Sequence, residues 1–355
     1  MRLVFLGLSL SSSWGNGHAT TYRSLLKGLA AAGHDVLFLE RDQPWYAENR
    51  DMPEPGFCAL RLYNAVADLE RYANDIATAD AVIIGSYVPD GPAVIEWANA
   101  TRRNTLAFYD IDTPVTLRGL ADGSIAYLTP SLVPLFDLYL SFTGGPILDI
   151  LQDRYGANRA VPLYCSVDPD LYHPTGSAKR WTLGYLGTYS ADRQPALDRL
   201  LLEPARRLPQ ERFVVAGPQY PADIAWPDNV DRIEHLPPSA HADFYASLCW
   251  TLNVTRRDMI QSGFSPSVRL FEATACGVPV LSDRWAGIED VLVPDRDLLV
   301  RDTAADVIEV LAMPADRRQA IGSAGRETTL RRHTGHRRAE ELARHLADLK
   351  ARASA

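Results

Sequence analysis

Short apolar runs alternate with longer stretches of helical spacing along most of the chain. The run RLVFLGL (2–8) is followed by a glycine-containing loop, then by a segment in which Leu25, Leu26, Leu29 and Ala30 fall on one helix face. Gly33 stands where that helix is expected to end, and HDVLFLE (34–40) reads as the next strand. Further strands are predicted at 81–87 (AVIIGSY), 105–110 (TLAFYD), 138–142 (LYLSF) and 160–164 (AVPLY). Strand–helix–strand alternation of this kind predicts an α/β fold, with parallel sheets covered by helices on both faces.

The rhythm breaks at SVDPDLYHPTGSAKR (166–180), which has two prolines, a glycine and no apolar period, and so reads as a linker. It then resumes with WTLGYLG (181–187), a helical stretch over 196–208, RFVVAGP (212–218), a strand around 231–235 and WTLNVT (250–255). A helix over 268–275, then PVLSD (279–283), LLV (298–300) and a helical tail complete the pattern. The expected organisation is a domain over 1–165, a linker over 166–180, a second domain over 181–330 and a final helical segment over 331–355. In that segment Ala339, Leu342, Leu346 and Leu349 share one face, which makes it a candidate to cross back onto the first domain.

Composition narrows the class. With 46% hydrophobic and 23% charged residues the chain has enough apolar material for packed cores, which excludes a disordered chain. Its 36 basic and 44 acidic side chains give a net charge of −8, without the electrostatic footprint of a nucleic-acid binder. Cys58, Cys165, Cys249 and Cys276 are scattered singly, which argues against a disulfide framework or zinc site and makes a reducing cytoplasm the default. The apolar run at 3–10 is far shorter than the ~20 residues that span a bilayer, and no small-residue cleavage site closes it, so it reads as a buried first strand. The basic stretch containing Arg326, Arg331, Arg332, Arg337 and Arg338 reads as a solvated helix face, with peripheral attachment to anionic lipid as the alternative.

Three segments carry candidate chemistry. In SSSWGNGHATTYRSL (11–25), Gly15 and Gly17 give GxG, but Thr20 stands where a dinucleotide fingerprint has its third glycine. Glu40 at the end of the second strand keeps a nicotinamide reading open. His18 opens the helix and is a candidate general base; a capping or packing role is the competing reading. In FYDIDTPVT (108–116), Asp110 and Asp112 are two residues apart at a strand end. A paired-carboxylate site for a divalent metal, or a general base with its orienter, is one reading; the favoured one has Asp112 cap the next helix, with Pro114 in its first turn, leaving Asp110 for a cleft role. In SPSVRLFEATACGVPVLSD (265–283), Ser265 or Ser267 caps a helix whose N-terminus suits a diphosphate. There Arg269 adds charge, and Glu272 can accept hydrogen bonds from ribose hydroxyls. A surface i,i+3 ion pair is the competing reading for those two residues.

This last segment resembles the donor-binding segment of GT-B glycosyltransferases, especially CgeB-type proteins and the related retaining group, where a glutamate-bearing helix precedes "ACGxPVxSD". SVDPDLYHP is similar to the interdomain linker of that family, and YLGTYSADRQ (185–194) to the first strand and loop of its donor domain. RFVVAGPQY resembles the following strand and turn, and HLPP (235–238) the segment beside the nucleobase. The retaining group has a second glutamate eight positions before the first; that position is Phe264 here.

The resemblance implies a GT-B fold, two Rossmann-like domains facing each other across a cleft. It also implies sugar transfer from a nucleoside diphosphate donor, of UDP or TDP type, to a small-molecule or glycan acceptor, with no metal and no cofactor. Substrate-binding positions on this reading are Gly15, Gly17, Gly187, Thr188, Tyr189, Arg193, Arg256, Ser267, Val268, Arg269 and Glu272. Many inverting members place a catalytic histidine where His18 stands, oriented by an aspartate in the position of Asp110. Two rivals stay open: a nucleotide-sugar-binding protein without turnover, and a nicotinamide-dependent oxidoreductase.

Overall fold

The computed structural model describes residues 1–14 and 17–353, with 13 strands in two parallel sheets. The chain divides into two compact units, one formed by Met1–Ser166 together with the segment from Gly335 onward, the other by Val167–Thr334. The second unit therefore begins before the expected boundary at 181. The stretch read as a linker is built into it: Val167 pairs with Thr334 in a parallel bridge, and Tyr172 is only 2% exposed.

Unit 1 holds a seven-stranded sheet in the order β3-β2-β1-β4-β5-β6-β7. Its strands are β1 (Arg2–Gly7), β2 (Asp35–Arg41), β3 (Ala59–Tyr63), β4 (Ala81–Gly85), β5 (Thr105–Asp110), β6 (Leu138–Ser141) and β7 (Ala160–Pro162). β1 runs parallel to both neighbours, with Leu3 opposite Val36 of β2 and Ala81 of β4. Side chains alternate across it, so that Val4 and Leu6 join one core while Leu3 and Phe5 join the other. The edge strand β3 has no counterpart in the sequence reading, because only Tyr63 of its five residues is buried and no apolar run marks it.

The His18–Ala31 helix buries Tyr22, Leu25, Leu26 and Leu29 against the Leu3 and Phe5 face. Gly33, at φ 78°, follows its end, where His34 N–H donates to Leu29 O at 3.0 Å. The Gly335–Ala353 helix packs on the same face through Ala339, Leu342 and Leu346, so the C-terminal segment does return to the first unit. The approach of the two helices needs glycine: a Cβ on Gly28 would lie 2.4 Å from Gly335 O, and one on Gly335 would lie 1.9 Å from Ser24 O.

Unit 2 repeats the plan with six strands in the order β10-β9-β8-β11-β12-β13. They are β8 (Trp181–Leu186), β9 (Phe213–Ala216), β10 (Val230–Ile233), β11 (Leu248–Asn253), β12 (Val280–Ser282) and β13 (Leu299–Val300). Leu183, Tyr185, Phe213, Val215 and Trp250 fill its core. In both units the strand order reverses beside the first strand, after β1 and β4 in one and after β8 and β11 in the other. Open parallel sheets bind ligands outside the carboxyl ends of their strands at such points. Among the described residues no helix is long and apolar enough to cross a membrane.

The basic stretch is not one solvated face. Arg326 donates to Ala275 O at 3.1 Å and Arg332 to Asp290 O at 2.6 Å, while Arg331 pairs with Glu327 and Arg337 with Glu340. Arg338 is buried: its Nε donates to Tyr164 O at 3.0 Å and its Nη1 to both Glu341 oxygens at 2.9 Å. Because Glu341 is partly exposed, losing Arg338 should cost less than the about 3–5 kcal/mol of a fully buried pair but more than the about 1 kcal/mol or less of an exposed one. Urea unfolding should therefore show a large loss of stability in Arg338→Ala and almost none in Arg337→Ala. Equal effects would show that Arg338 does not hold the last helix in place.

Candidate functional site

In unit 2 the turn after β8 is surrounded by cationic side chains. The Val268–Ala275 helix begins as the sequence predicts, with Ser267 as N-cap accepting from Arg269 N–H at 3.3 Å. Val268 is its first residue, and the helix buries Leu270 and Phe271. From its first turn Arg269 reaches back to β8, where its Nε donates to Leu186 O, its Nη1 to Asn253 Oδ1 at 3.3 Å, and its guanidinium lies 4.8 Å from the Tyr185 ring centroid. Gly187 makes room for this: a Cβ there would lie 2.7 Å from both Arg269 Nη2 and the Tyr185 hydroxyl.

Arg193 approaches the same turn, donating from Nη2 to Thr188 O at 2.7 Å. Burial lowers its pKa and the nearby charges of Arg269 and Arg256 lower it further, against Tyr185 and Asp192, which oppose this. Among the described residues none of Arg193, Arg256 and Arg269 forms an ion pair. Two buried groups here have no hydrogen-bond partner, Arg193 Nε and the Tyr185 hydroxyl. Clustered cations and unsatisfied donors beside a helix N-terminus suit an anionic, oxygen-rich ligand. Tyr189 closes the turn through its N–H to Pro218 O at 3.0 Å, with its ring edge-on to Tyr220 at 5.5 Å.

Glu272 and Arg269 do not form the surface ion pair that was the competing reading. Glu272 is buried at 7% exposure, accepts from the Tyr245 hydroxyl at 3.2 Å and is also hydrogen-bonded by Tyr172. Tyr172, Tyr185, Tyr245 and Asn253 were not singled out by the sequence, where buried aromatics read as core. Phe264 has a left-handed backbone at φ 48°, a strained conformation for an aromatic residue, and its N–H donates to Ala286 O at 2.6 Å.

In unit 1 the loop after β1 is held by one carboxylate. Glu40, fully buried, accepts from Leu10 N–H at 2.6 Å, Ser11 N–H at 2.9 Å, Ser11 Oγ at 2.6 Å and Ser9 Oγ at 3.3 Å. Both oxygens are thus committed to the loop, which removes the ribose-binding carboxylate from the nicotinamide reading. Gly15 lies outside the described residues. Gly17 precedes the first helix at φ −79° with open space where a Cβ would stand, so its backbone does not require glycine. Trp14, at 55% exposure, lies on the loop after β1, and Trp45, at 51%, on the short Pro44–Ala47 helix after β2. The two segments are tied by Ser12 Oγ donating to Asn49 O at 2.7 Å, and Asn49 Nδ2 in turn donates to Trp45 O at 2.9 Å within the second.

His18 opens its helix half-buried, its Nδ1 without a hydrogen-bond partner, and burial lowers its pKa to about 4. The ring is therefore neutral at physiological pH and can accept a proton. Asp110 is fully buried, and its carboxylate accepts from the Tyr139 hydroxyl at 2.6 Å and from Thr116 Oγ1 at 2.7 Å. No hydrogen bond joins it to His18, so the expected orienting contact is not made. Burial raises its pKa to about 6 against those two hydrogen bonds. Asp112 occupies the N-cap position of the Thr113–Asp122 helix without a side-chain cap; its carboxylate instead accepts from the Tyr87 hydroxyl at 3.0 Å.

Residues 193–344 match the family model described as "Glycosyl transferase-like". A search of curated proteins finds no match. Among solved structures, sucrose-phosphate synthase from Thermosynechococcus elongatus is 14% identical with a TM-score of 0.70, covering 99% of this chain and 100% of that one. Anabaena Alr3699/HepE in complex with UDP and glucose is 12% identical with a TM-score of 0.69, covering 98% and 100%. An alpha-glucosyltransferase in complex with UDP-glucose and DNA containing an abasic site is 12% identical with a TM-score of 0.71, covering 98% and 99%. The fold is GT-B. Both Rossmann-like halves of that fold are accounted for by the two units.

If the arginines of unit 2 hold a diphosphate, Arg193→Ala should weaken binding of UDP, TDP or GDP by about ten- to 150-fold, the equivalent of one charge-assisted hydrogen bond. The ligand-free variant should melt no lower than the wild type, since the change relieves repulsion from Arg256 and Arg269. Unchanged nucleotide affinity in a calorimetric titration would remove Arg193 from the site.

Proposed function

We propose that this protein is a glycosyltransferase that moves a sugar from a nucleoside diphosphate donor, of UDP or TDP type, to an acceptor hydroxyl. The observation that carries this reading is the group of Arg193, Arg256 and Arg269, unpaired among the described residues, around Gly187, Thr188 and Tyr189 beside the Ser267-capped helix. The match of residues 193–344 to the Glycosyl transferase-like model supports it, as do the UDP and UDP-glucose named for proteins of the same fold.

On this reading unit 2 binds the donor. The arginines and the helix N-terminus hold the diphosphate, and Glu272, steadied by Tyr245 and Tyr172, takes the ribose hydroxyls. His18 of unit 1 removes the proton as the acceptor oxygen attacks the anomeric carbon. The bond from that carbon to the diphosphate oxygen breaks, and its electron pair leaves with the nucleoside diphosphate. The arginine charge stabilises the leaving group as negative charge develops on it, a role that needs no metal ion. Trp14 and Trp45 offer flat apolar surface to an acceptor.

Mass spectrometry of the protein incubated with a panel of nucleotide sugars tests the reading directly: released nucleoside diphosphate with a glycosylated or hydrolysed sugar supports it. Turnover should survive EDTA; loss restored by manganese would contradict the metal-free account. His18→Ala should lower turnover by about 10²–10⁴ with donor affinity unchanged. Because a base must be unprotonated, kcat/KM should hold down to the low pKa of His18, about 4, and fall below it. An acid limb near pH 6 would point to Asp110 instead.

A further inference from the structure

The His18 imidazole has no carboxylate behind it, yet it is not loose. Its Nδ1 has no hydrogen-bond partner among the described residues, and the Tyr87 ring meets it edge-on at 90° with centroids 5.1 Å apart. Tyr87 lies just past the end of β4 with φ 64°, a left-handed conformation that is costly for an aromatic residue and persists only where its surroundings over-determine it.

Those surroundings form a built frame. The Tyr87 hydroxyl donates to Asp112 Oδ2 at 3.0 Å, and its ring packs on Tyr127 with centroids 4.6 Å apart. The Tyr127 hydroxyl is hydrogen-bonded to Thr116 Oγ1 at 2.7 Å, and Thr116 donates to the buried Asp110, which also accepts from Tyr139. Tyr127, Thr116, Asp110 and Tyr139 are all buried, so this chain is a fixed backing for Tyr87 rather than a surface contact.

We propose that Tyr87 is the positioning residue for His18, holding the imidazole by its ring, and that the Asp110–Thr116–Tyr127 chain with Asp112 holds Tyr87. This deepens the transferase reading and rests on His18 acting there as the base. It assigns Asp110 an indirect role: the aspartate sets the base through Thr116, Tyr127 and Tyr87, the last two joined to each other and to His18 by ring contacts instead of a hydrogen bond. A misplaced reacting group costs about 10²-fold per ångström, so small ring movements are enough to register in rate.

A double-mutant cycle tests the proposal. Tyr87→Leu should lower kcat about 30-fold while KM for the donor stays within about twofold. Tyr87→Phe keeps the ring and loses the hydroxyl's hydrogen bonds to Asp112 and Tyr127, so it should lower kcat by only about threefold. In the His18→Ala background Tyr87→Leu should have no further effect, because nothing remains to be positioned. Independently of turnover, the ring ¹³Cε1–¹H cross-peak missing from His18→Ala identifies His18, and that peak should shift in Tyr87→Leu. Additive losses in the cycle, or an unmoved cross-peak, would overturn the proposal. A shifted cross-peak in a protein that turns over no nucleotide sugar would overturn the transferase reading and leave the positioning contact standing.

Discussion

Positive charge gathered at one turn, with no direct ion pair among the described residues, is the constraint on which unit 2 depends. Arg269 is tethered by Leu186 O and Asn253, and Arg193 by Thr188 O, so their charges converge on one turn with Asp192, Glu272 and Asp283 near enough to offset them only in part and no such ion pair formed. Folding tolerates this because the sheet core beneath is large and apolar, and because Gly187 leaves the space that the guanidinium of Arg269 needs. A polyanion bound there returns the lost stabilisation, which couples ligand binding to the stability of the unit.

Unit 1 handles charge in the opposite way. Its buried carboxylates are fully engaged: Glu40 organises the loop after β1, and Asp110 anchors the chain that ends at Tyr87. His18 is left as a neutral ring with an unpartnered Nδ1 at the carboxyl end of the sheet. One unit therefore gathers arginine side chains at the turn after its first strand, and the other holds a neutral ring with an unpartnered nitrogen at the end of its first loop.

Local signals in the sequence were legible where one interaction decides the outcome. Ser265 or Ser267 followed by period-3.6 apolar residues marked the Val268–Ala275 helix, with Ser267 the cap in the structure, and the face bearing Ala339, Leu342 and Leu346 announced a helix with a partner. Side-chain direction was not legible, because neighbours distant in sequence set it. Arg269 and Glu272 are one turn apart, yet one turns to β8 and the other to Tyr245 and Tyr172. Asp110 and Asp112 likewise part company, toward Tyr139 and Tyr87. The stretch read as a linker has no apolar period because it is held by isolated contacts such as Tyr172, and β3 escaped notice because an edge strand need not be apolar.

The central claim is that the cations of unit 2 bind a nucleoside through its diphosphate. Calorimetric titration of the wild-type protein with UDP, TDP and GDP, beside the matching nucleosides and NAD, tests it most directly. At least one diphosphate should bind, with its nucleoside weaker by about a hundredfold or more, the loss expected when two charge-assisted hydrogen bonds vanish. A nucleoside that binds as tightly as its diphosphate, or NAD binding in preference to all three, would contradict the account.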